Sequence, residues 1–298
     1  MILLVDKPSG MTSHDVVSKI KRASPEKIKI GHTGTLDPIC TGVLPVLTGN
    51  STKLSDLFIG NKAYTAFLKL GIVTDTEDIT GNILAENEVL VNYNEVFSAI
   101  KSFVGKISQV PPMYSAIKIN GVKLYDLARK GIEIERKSRE IEVFSIENVS
   151  ILSENEYSFD VYCSSGTYIR TLCHEIGKKL RTGGAMSGLR RIESNGFSIS
   201  ECHSLDKVVE MAKTSRLAEI DVDVQKAFSY LNKLTIPSEA EHFYLNGGKV
   251  AINRILDFNG YEKNINFKYY KVFNINGKFL GLCEIIDGEI KGVWKVDN

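Results

Sequence analysis

The 298-residue chain has no apolar run approaching the roughly 18 residues that a membrane-spanning helix requires. Its first apolar run, Met1 to Val5, is broken at once by Asp6 and Lys7, which argues against a secretory signal peptide. The five cysteines, Cys40, Cys163, Cys173, Cys202 and Cys283, are odd in number and widely spaced. That pattern speaks against a disulfide framework and for reduced thiols in a cytoplasmic protein. The sequence also lacks the GxxxxGK[ST] and GxGxxG phosphate-binding patterns and the GxSxG elbow of serine hydrolases. The five histidines are scattered, and His174-Glu175 has no second histidine four residues after the first, so a zinc site is not expected. Asp75 to Gly81 is acidic, but its glycine and alternating ligands are misplaced for a calcium loop. Nucleotide hydrolysis, redox chemistry and serine hydrolysis all lose ground.

What the chain does have is an ordinary globular composition, 43% apolar and 24% charged, and enough length to bury a sizeable core. The net charge of +1 conceals an uneven distribution. Residues 75 to 95 hold six acids and no Lys or Arg, whereas residues 118 to 139 hold seven bases against three acids. Residues 168 to 191 hold six bases against Glu175 alone. Two solvated helix faces would explain the basic stretches; so would a surface that meets a polyanion.

Thr12 with Asp15 three residues later predicts a capped helix ending near Arg22. Strands are expected over 41–48, 62–71, 140–152 and 157–163, and helices over 92–104, 122–130 and 167–180. Asn120-Gly121 predicts a hairpin turn inside the basic insertion. Strands adjacent in sequence predict an α+β fold, a mixed and largely antiparallel sheet flanked by helices. Beyond about residue 232, Pro237 opens a short helix. A β meander follows over 269–296, turning at Asn276-Gly277 and Asp287-Gly288, as in a small β-barrel domain.

The segment GHTGTLDP (residues 31–38) combines two glycines that let the backbone approach a ligand with an aspartate braced by Pro38. Alone, Asp37-Pro38 is a common turn. Followed by TGVLP (residues 41–45), however, the segment resembles the catalytic loop of the TruB-type tRNA pseudouridine synthases. Four further stretches are similar to that family in the same order. They are LLVDKPSGMTSHDVV (3–17), KAYTAFLKLGIVTDTEDITG (62–81), PPMYSAIKINGVKLYDLARKGIEI (111–134), and SSGTYIRTL (164–172) with LRRI (189–192).

The resemblance implies a pseudouridine synthase fold over residues 1–232, with an RNA-contacting insertion at about 111–139, and a PUA-like RNA-binding domain over 233–298. It implies isomerisation of uridine 55 in the T arm of tRNA, without metal or redox cofactor. A base inside a stacked arm must first be extruded. By resemblance, Asp37 is the catalytic carboxylate and Arg170 the arginine that pairs with it. The resemblance also gives Tyr64 as the residue that stacks on the target base and accepts the proton from C5. Tyr168 and Leu189 complete the pocket, His32 assists flipping, and Lys7 and Pro8 support the loop from behind. The implied partner is the tRNA T stem-loop, with no membrane, no obligate protein partner and a monomeric state. Cys40 departs from the alanine common in the family and reads as a structural substitution.

Two rivals predict different chemistry. A non-catalytic tRNA-binding or tRNA-folding protein on the same scaffold has no need of Asp37 beside Arg170 and Tyr64. A glycosidase needs two working carboxylates, for which Asp75 or Asp78 would have to join Asp37.

Overall fold

The computed structural model describes residues 1–115, 117–119, 121–258 and 268–296; Asn120 of the expected turn lies outside the described residues. The N-terminal two thirds is organised on one large sheet. Its central path runs through His203–Ser204, β1 (Ile2–Lys7), β3 (Thr41–Thr48), Gly184–Ser194, β4 (Lys62–Leu70), Glu156–Cys163, Arg139–Ser153 and Gly105–Gln109. The short strand β2 (Ile30–His32) pairs with β3 off this path. Among the described residues of this sheet only two pairings, β1 with His203–Ser204 and β3 with Gly184–Ser194, are parallel. The architecture is therefore the mixed, largely antiparallel α+β fold expected.

Strand alternation decides what each face buries. Leu3 and Val5 of β1 share one apolar cluster with Leu44 and Val46 of β3. Helix α1 (Ser13–Ala23) adds Val16, Val17 and Ile20 to it, and the helix Leu205–Lys213 adds Leu205 and Val208. Ile2 and Leu4 point the other way, to Leu54, Phe58 and Phe228. Further along the sheet, Tyr64, Ala66, Leu68 and Leu70 of β4 pack against Ile169, Leu172, Cys173 and Ile176. Those four lie on the helix Ile169–Leu180, at the spacing that one helix face demands.

The C-terminal part forms a second, six-stranded sheet ordered Val250–Ala251, Glu289–Lys295, Phe279–Ile286, Tyr269–Phe273, Lys233–Thr235, Asp257–Phe258. Its own core holds Leu234, Tyr244, Val272 and Ile290. The helix after Pro237 spans Ser238–Leu245. This small β unit is consistent with the expected PUA-like fold. It leans on the large sheet through Leu282, Phe279 and Trp294, which share a cluster with Ile2, Val43 and Phe228. Among the described residues no helix is long and apolar enough to cross a membrane.

One central element has no counterpart among the expected ones. Residues 184–194 form a central strand between β3 and β4, and Arg191 on it is buried. Arg170 is buried too, and Arg190 pairs with Asp6 at 2.8 Å. The basic stretch 168–191 is thus split: Lys178, Lys179 and Arg181 are exposed at the end of the helix Ile169–Leu180, whereas three of its arginines turn toward protein groups.

Candidate active site

The loop between β2 and β3 carries Asp37, and the N-terminal segment holds that loop at three points. Lys7, fully buried at the end of β1, donates through Nζ to the carbonyls of Pro8 (2.8 Å), Cys40 (2.7 Å) and Pro38 (3.5 Å). The Gly10 amide donates to Pro38 O at 2.8 Å. Ser13 Oγ accepts from the Leu36 amide at 2.8 Å and donates to its carbonyl at 3.2 Å. Capping fixes the position of Ser13: Thr12 Oγ1 accepts from the Asp15 amide at 3.0 Å while Asp15 accepts from the Thr12 amide at 2.9 Å. Lys7 therefore sits where loop carbonyls converge, and Pro8 joins it by accepting from the same ammonium.

Arg170 reaches Asp37 from the other end of the site. It lies in the first turn of the helix Ile169–Leu180, whose capping residue Tyr168 is clipped by Gln109. Gln109 Oε1 accepts from the Tyr168 amide at 2.8 Å and Nε2 donates to the Tyr168 carbonyl at 3.0 Å. The Arg170 side chain is only 7% exposed and spends every arm of its fork. Nε faces Asp37 Oδ2 at 3.1 Å, and Nη1 faces Asp78 Oδ2 at 3.5 Å. Nη1 also donates to Thr76 O (3.2 Å), and Nη2 to Tyr114 O in the insertion (2.7 Å).

Asp78 is the partner that the sequence reading left as an option for another chemistry. Its other oxygen accepts from Thr76 Oγ1 (2.9 Å), Thr80 Oγ1 (2.5 Å) and the Thr80 amide (2.9 Å). With its side chain 5% exposed and both oxygens engaged, Asp78 anchors the guanidinium, whereas Asp37, 36% exposed, keeps an edge free for a ligand. Burial pushes the Asp37 carboxyl above its ordinary range; Arg170 opposes that shift, Asp78 adds to it and Lys7 opposes it. Cys40, whose amide donates to the Asp37 carbonyl at 3.0 Å, is buried at the foot of the loop. Burial pushes its thiol up to about 12, so it packs as a neutral group.

Tyr64 and Leu189 belong to the same buried cluster as Leu36 and Cys40 of the loop that carries Asp37. Burial pushes the Tyr64 phenol up to about 12, against the pull of the nearby Arg191 cation. Arg191 stands opposite Tyr64 across the strand pair and donates to the carbonyls of Val43 (2.6 Å) and Gly34 (3.2 Å). It thereby links the strand of the tyrosine to the Asp37 loop, a connection that the LRRI motif alone did not disclose. His32 lies on β2 with Nδ1 accepting from the Gly34 amide at 3.4 Å. Burial, then Arg191 and His14, hold its imidazole below the usual range and hence neutral. Tyr168 is half-buried at the helix cap beside Arg170.

The structure thus brings Lys7, Pro8, His32, Tyr64, Leu189 and Arg170 around the Asp37 loop, with Asp37 and Arg170 in direct contact, and sets Tyr168 next to Arg170 on the helix cap. The residues missed are Asp78 as a partner of Arg170, Arg191, Ser13 and Gln109. Only Asp78 left a readable signal, the alternation Thr76, Asp78, Thr80 that lets one carboxylate collect its neighbours' donors.

Comparison with known proteins agrees with this geometry. The N-terminal domain of the TruB family pseudouridylate synthases matches residues 21–169, and the tRNA pseudouridylate synthase B C-terminal domain matches residues 170–241. A tRNA pseudouridine synthase B of Clostridium acetobutylicum is 45% identical over 291 residues, covering 97% of each chain. One from Clostridium perfringens is 43% identical, covering 94% of this chain and 93% of its own. Among solved structures, a chain of a Cbf5-Nop10-Gar1 complex aligns over 100% of this chain and 83% of its own, with a TM-score of 0.73 and 26% identity. The chain belongs to the TruB family of pseudouridylate synthases.

Proposed function

We propose that the chain converts uridine 55 in the T arm of tRNA to pseudouridine, with Asp37, Arg170 and Tyr64 as its catalytic residues. The observation that carries this reading is the partly exposed Asp37 carboxylate held 3.1 Å from the buried Arg170 fork, on a loop whose Leu36 and Cys40 pack in one cluster with Tyr64 and Leu189. The reaction breaks the bond from N1 to the ribose C1′, turns the uracil, and forms a bond from C5 to C1′. C5 then loses its proton and N1 gains one, so product and substrate are isomers and the balance calls for no oxidant or reductant.

Each step has a residue suited to it. An extruded uracil needs an aromatic face and a wall, offered by Tyr64 with Leu189 and Tyr168. His32, neutral and beside Gly34 of the catalytic loop, is placed to assist extrusion. Asp37 in its ionised form supplies the negative charge that glycosidic cleavage requires, and Arg170 favours that form. Tyr64 enters as a neutral phenol. It gives its proton to N1 of the detached uracil, the nearby Arg191 cation favours the phenolate so formed, and the phenolate takes the proton that C5 loses, which restores the phenol. Lys7 and Pro8 hold the loop.

The same reading divides the chain into a catalytic domain over 1–232 and an RNA-binding domain over 233–298, acting as a monomer without an obligate protein partner. The basic insertion at 111–139 serves as an RNA clamp, with lysines and arginines on phosphates. Its backbone is tied to the catalytic centre through Tyr114 O. Carbodiimide treatment and primer extension of a reacted tRNA transcript test the assignment of site. A stop at the T-arm uridine supports it, and stops elsewhere, or none, oppose it.

A further inference from the structure

One cation at the site has no task in that reaction. Lys62 opens β4 two residues before Tyr64, so the pleat places both side chains on one face of the sheet, about 6–7 Å apart along the strand. Its backbone lies between Cys163 on one neighbouring strand and Ser194 on the other, inside the sheet. Its ammonium donates to Ser165 Oγ, in the exposed turn before Arg170, at 3.0 Å. A Cβ placed on Gly34 would lie 4.0 Å from Lys62 Cε and 3.5 Å from Arg191 Nη1. Lys62 and Arg191 therefore flank the catalytic loop at a point where the loop has no side chain.

The neighbouring bases are all compensated. Arg170 has Asp37 and Asp78, Arg190 has Asp6, Arg191 has two carbonyls, and Lys7 has three. Lys62 has a neutral hydroxyl, and among the described residues no carboxylate pairs with it. Burial and then Arg191 push it down to about 8, with only the Cys163 thiol pulling the other way. A half-buried ammonium with three donors and no anion, at a spot that solvent reaches, is an arrangement that a ligand's negative charge would complete.

We propose that Lys62, with Ser165, binds one phosphodiester of the RNA strand next to the extruded nucleotide, as an anchor for affinity. This rests on the pseudouridine synthase reading, since a base lying on Tyr64 must bring its own backbone to the mouth of the pocket. Lysine acts on phosphate as a point charge, so arginine is able to replace it here, whereas a neutral side chain is not.

The test compares the full chain with its Lys62→Met, Lys62→Gln and Lys62→Arg variants, using a T-arm transcript labelled with tritium at uridine C5. Binding is measured as a function of salt, and release is followed in single turnovers at saturating RNA. Both neutral variants are expected to bind about tenfold more weakly and to lower the slope of log Kd against log salt by about one. Lys62→Arg restores both, and the defect falls on KM rather than on the saturated rate. A single methylphosphonate walked through the loop weakens binding by the parent chain about tenfold at one linkage and adds nothing to the Lys62→Met defect there. Unchanged affinity and slope in both neutral variants overturn the proposal. So does intact binding with a lost single-turnover rate, which would move Lys62 into the chemistry. A parent chain that binds RNA but releases no tritium defeats the synthase reading, while the salt slopes still decide the anchor.

Discussion

At the scale of single residues, the centre is a contest over one proton. Asp37 shares a single guanidinium with Asp78, so burial and the second carboxylate raise its proton affinity while Arg170 restrains it. With the ionised form as the working one, activity falls as pH drops through a pKa that lies above the ordinary carboxylate range. A rate–pH profile at saturating tRNA should place its acid limb there. The same shift fixes a stability effect. A carboxyl that binds its proton more tightly in the folded state loses stability as pH rises from the unfolded pKa through the folded one, and the loss persists above it. Asp37→Asn removes that loss, so the variant should melt above the parent chain at neutral pH, with the gap closing below the ordinary carboxylate range. An equal or lower melting temperature at neutral pH would contradict the shift. Arg170→Ala, by contrast, leaves Asp78 buried without its cation and should cost about 3–5 kcal/mol in chemical denaturation as well as activity. Cys40→Ala should retain activity within about twofold, because a thiol held near 12 offers no nucleophile.

At the scale of elements, the site depends on how closely β3 and the strand Gly184–Ser194 approach. A Cβ at Gly42 would lie 2.1 Å from the Arg191 carbonyl oxygen, and Gly42 has φ of +106°. Gly42→Ala should therefore both strain the backbone and push Arg191 from Tyr64, costing at least about 1–3 kcal/mol and most of the activity. Its melting curve and single-turnover rate check this together. Thr12→Ala makes a graded comparison. It removes a capping box worth about 1 kcal/mol and loosens the helix end from which Ser13 grips Leu36. Helix α1 was legible because its cap and apolar spacing act locally, and the helix Ile169–Leu180 differs from expectation only at its first turn, where Tyr168 caps instead of continuing. The strand Gly184–Ser194 was not legible. Gly184, Ser187 and Gly188 dilute its apolar alternation, Arg190-Arg191 interrupts it, and bulges at Met186/Gly188 and Arg191/Glu193 break the two-residue period. Burial of Asp78 and Arg191 was equally hidden, since charge in a sequence signals solvent until the partners that compensate it are known.

At the scale of the molecule, two sheets of different size share one apolar seam, where Phe228 meets Phe58 with ring centroids 5.2 Å apart and Leu282 joins from the C-terminal sheet. The order of the family motifs made the large sheet legible, whereas the C-terminal unit announced itself only through turn dipeptides and alternation. A net charge of +1 predicts nothing about polyanions, but the separation of acidic and basic stretches does. All three scales meet in one claim: a carboxylate on a braced loop, ionised by a buried arginine, isomerises a uridine presented by tRNA. It is tested most directly by tritium release from a tRNA transcript labelled at uridine C5, with the parent chain and Asp37→Asn side by side. About one equivalent released by the parent chain and none by the variant, with tRNA binding intact in both, is the result predicted. Tight binding without release by the parent chain, or undiminished release by Asp37→Asn, would contradict it.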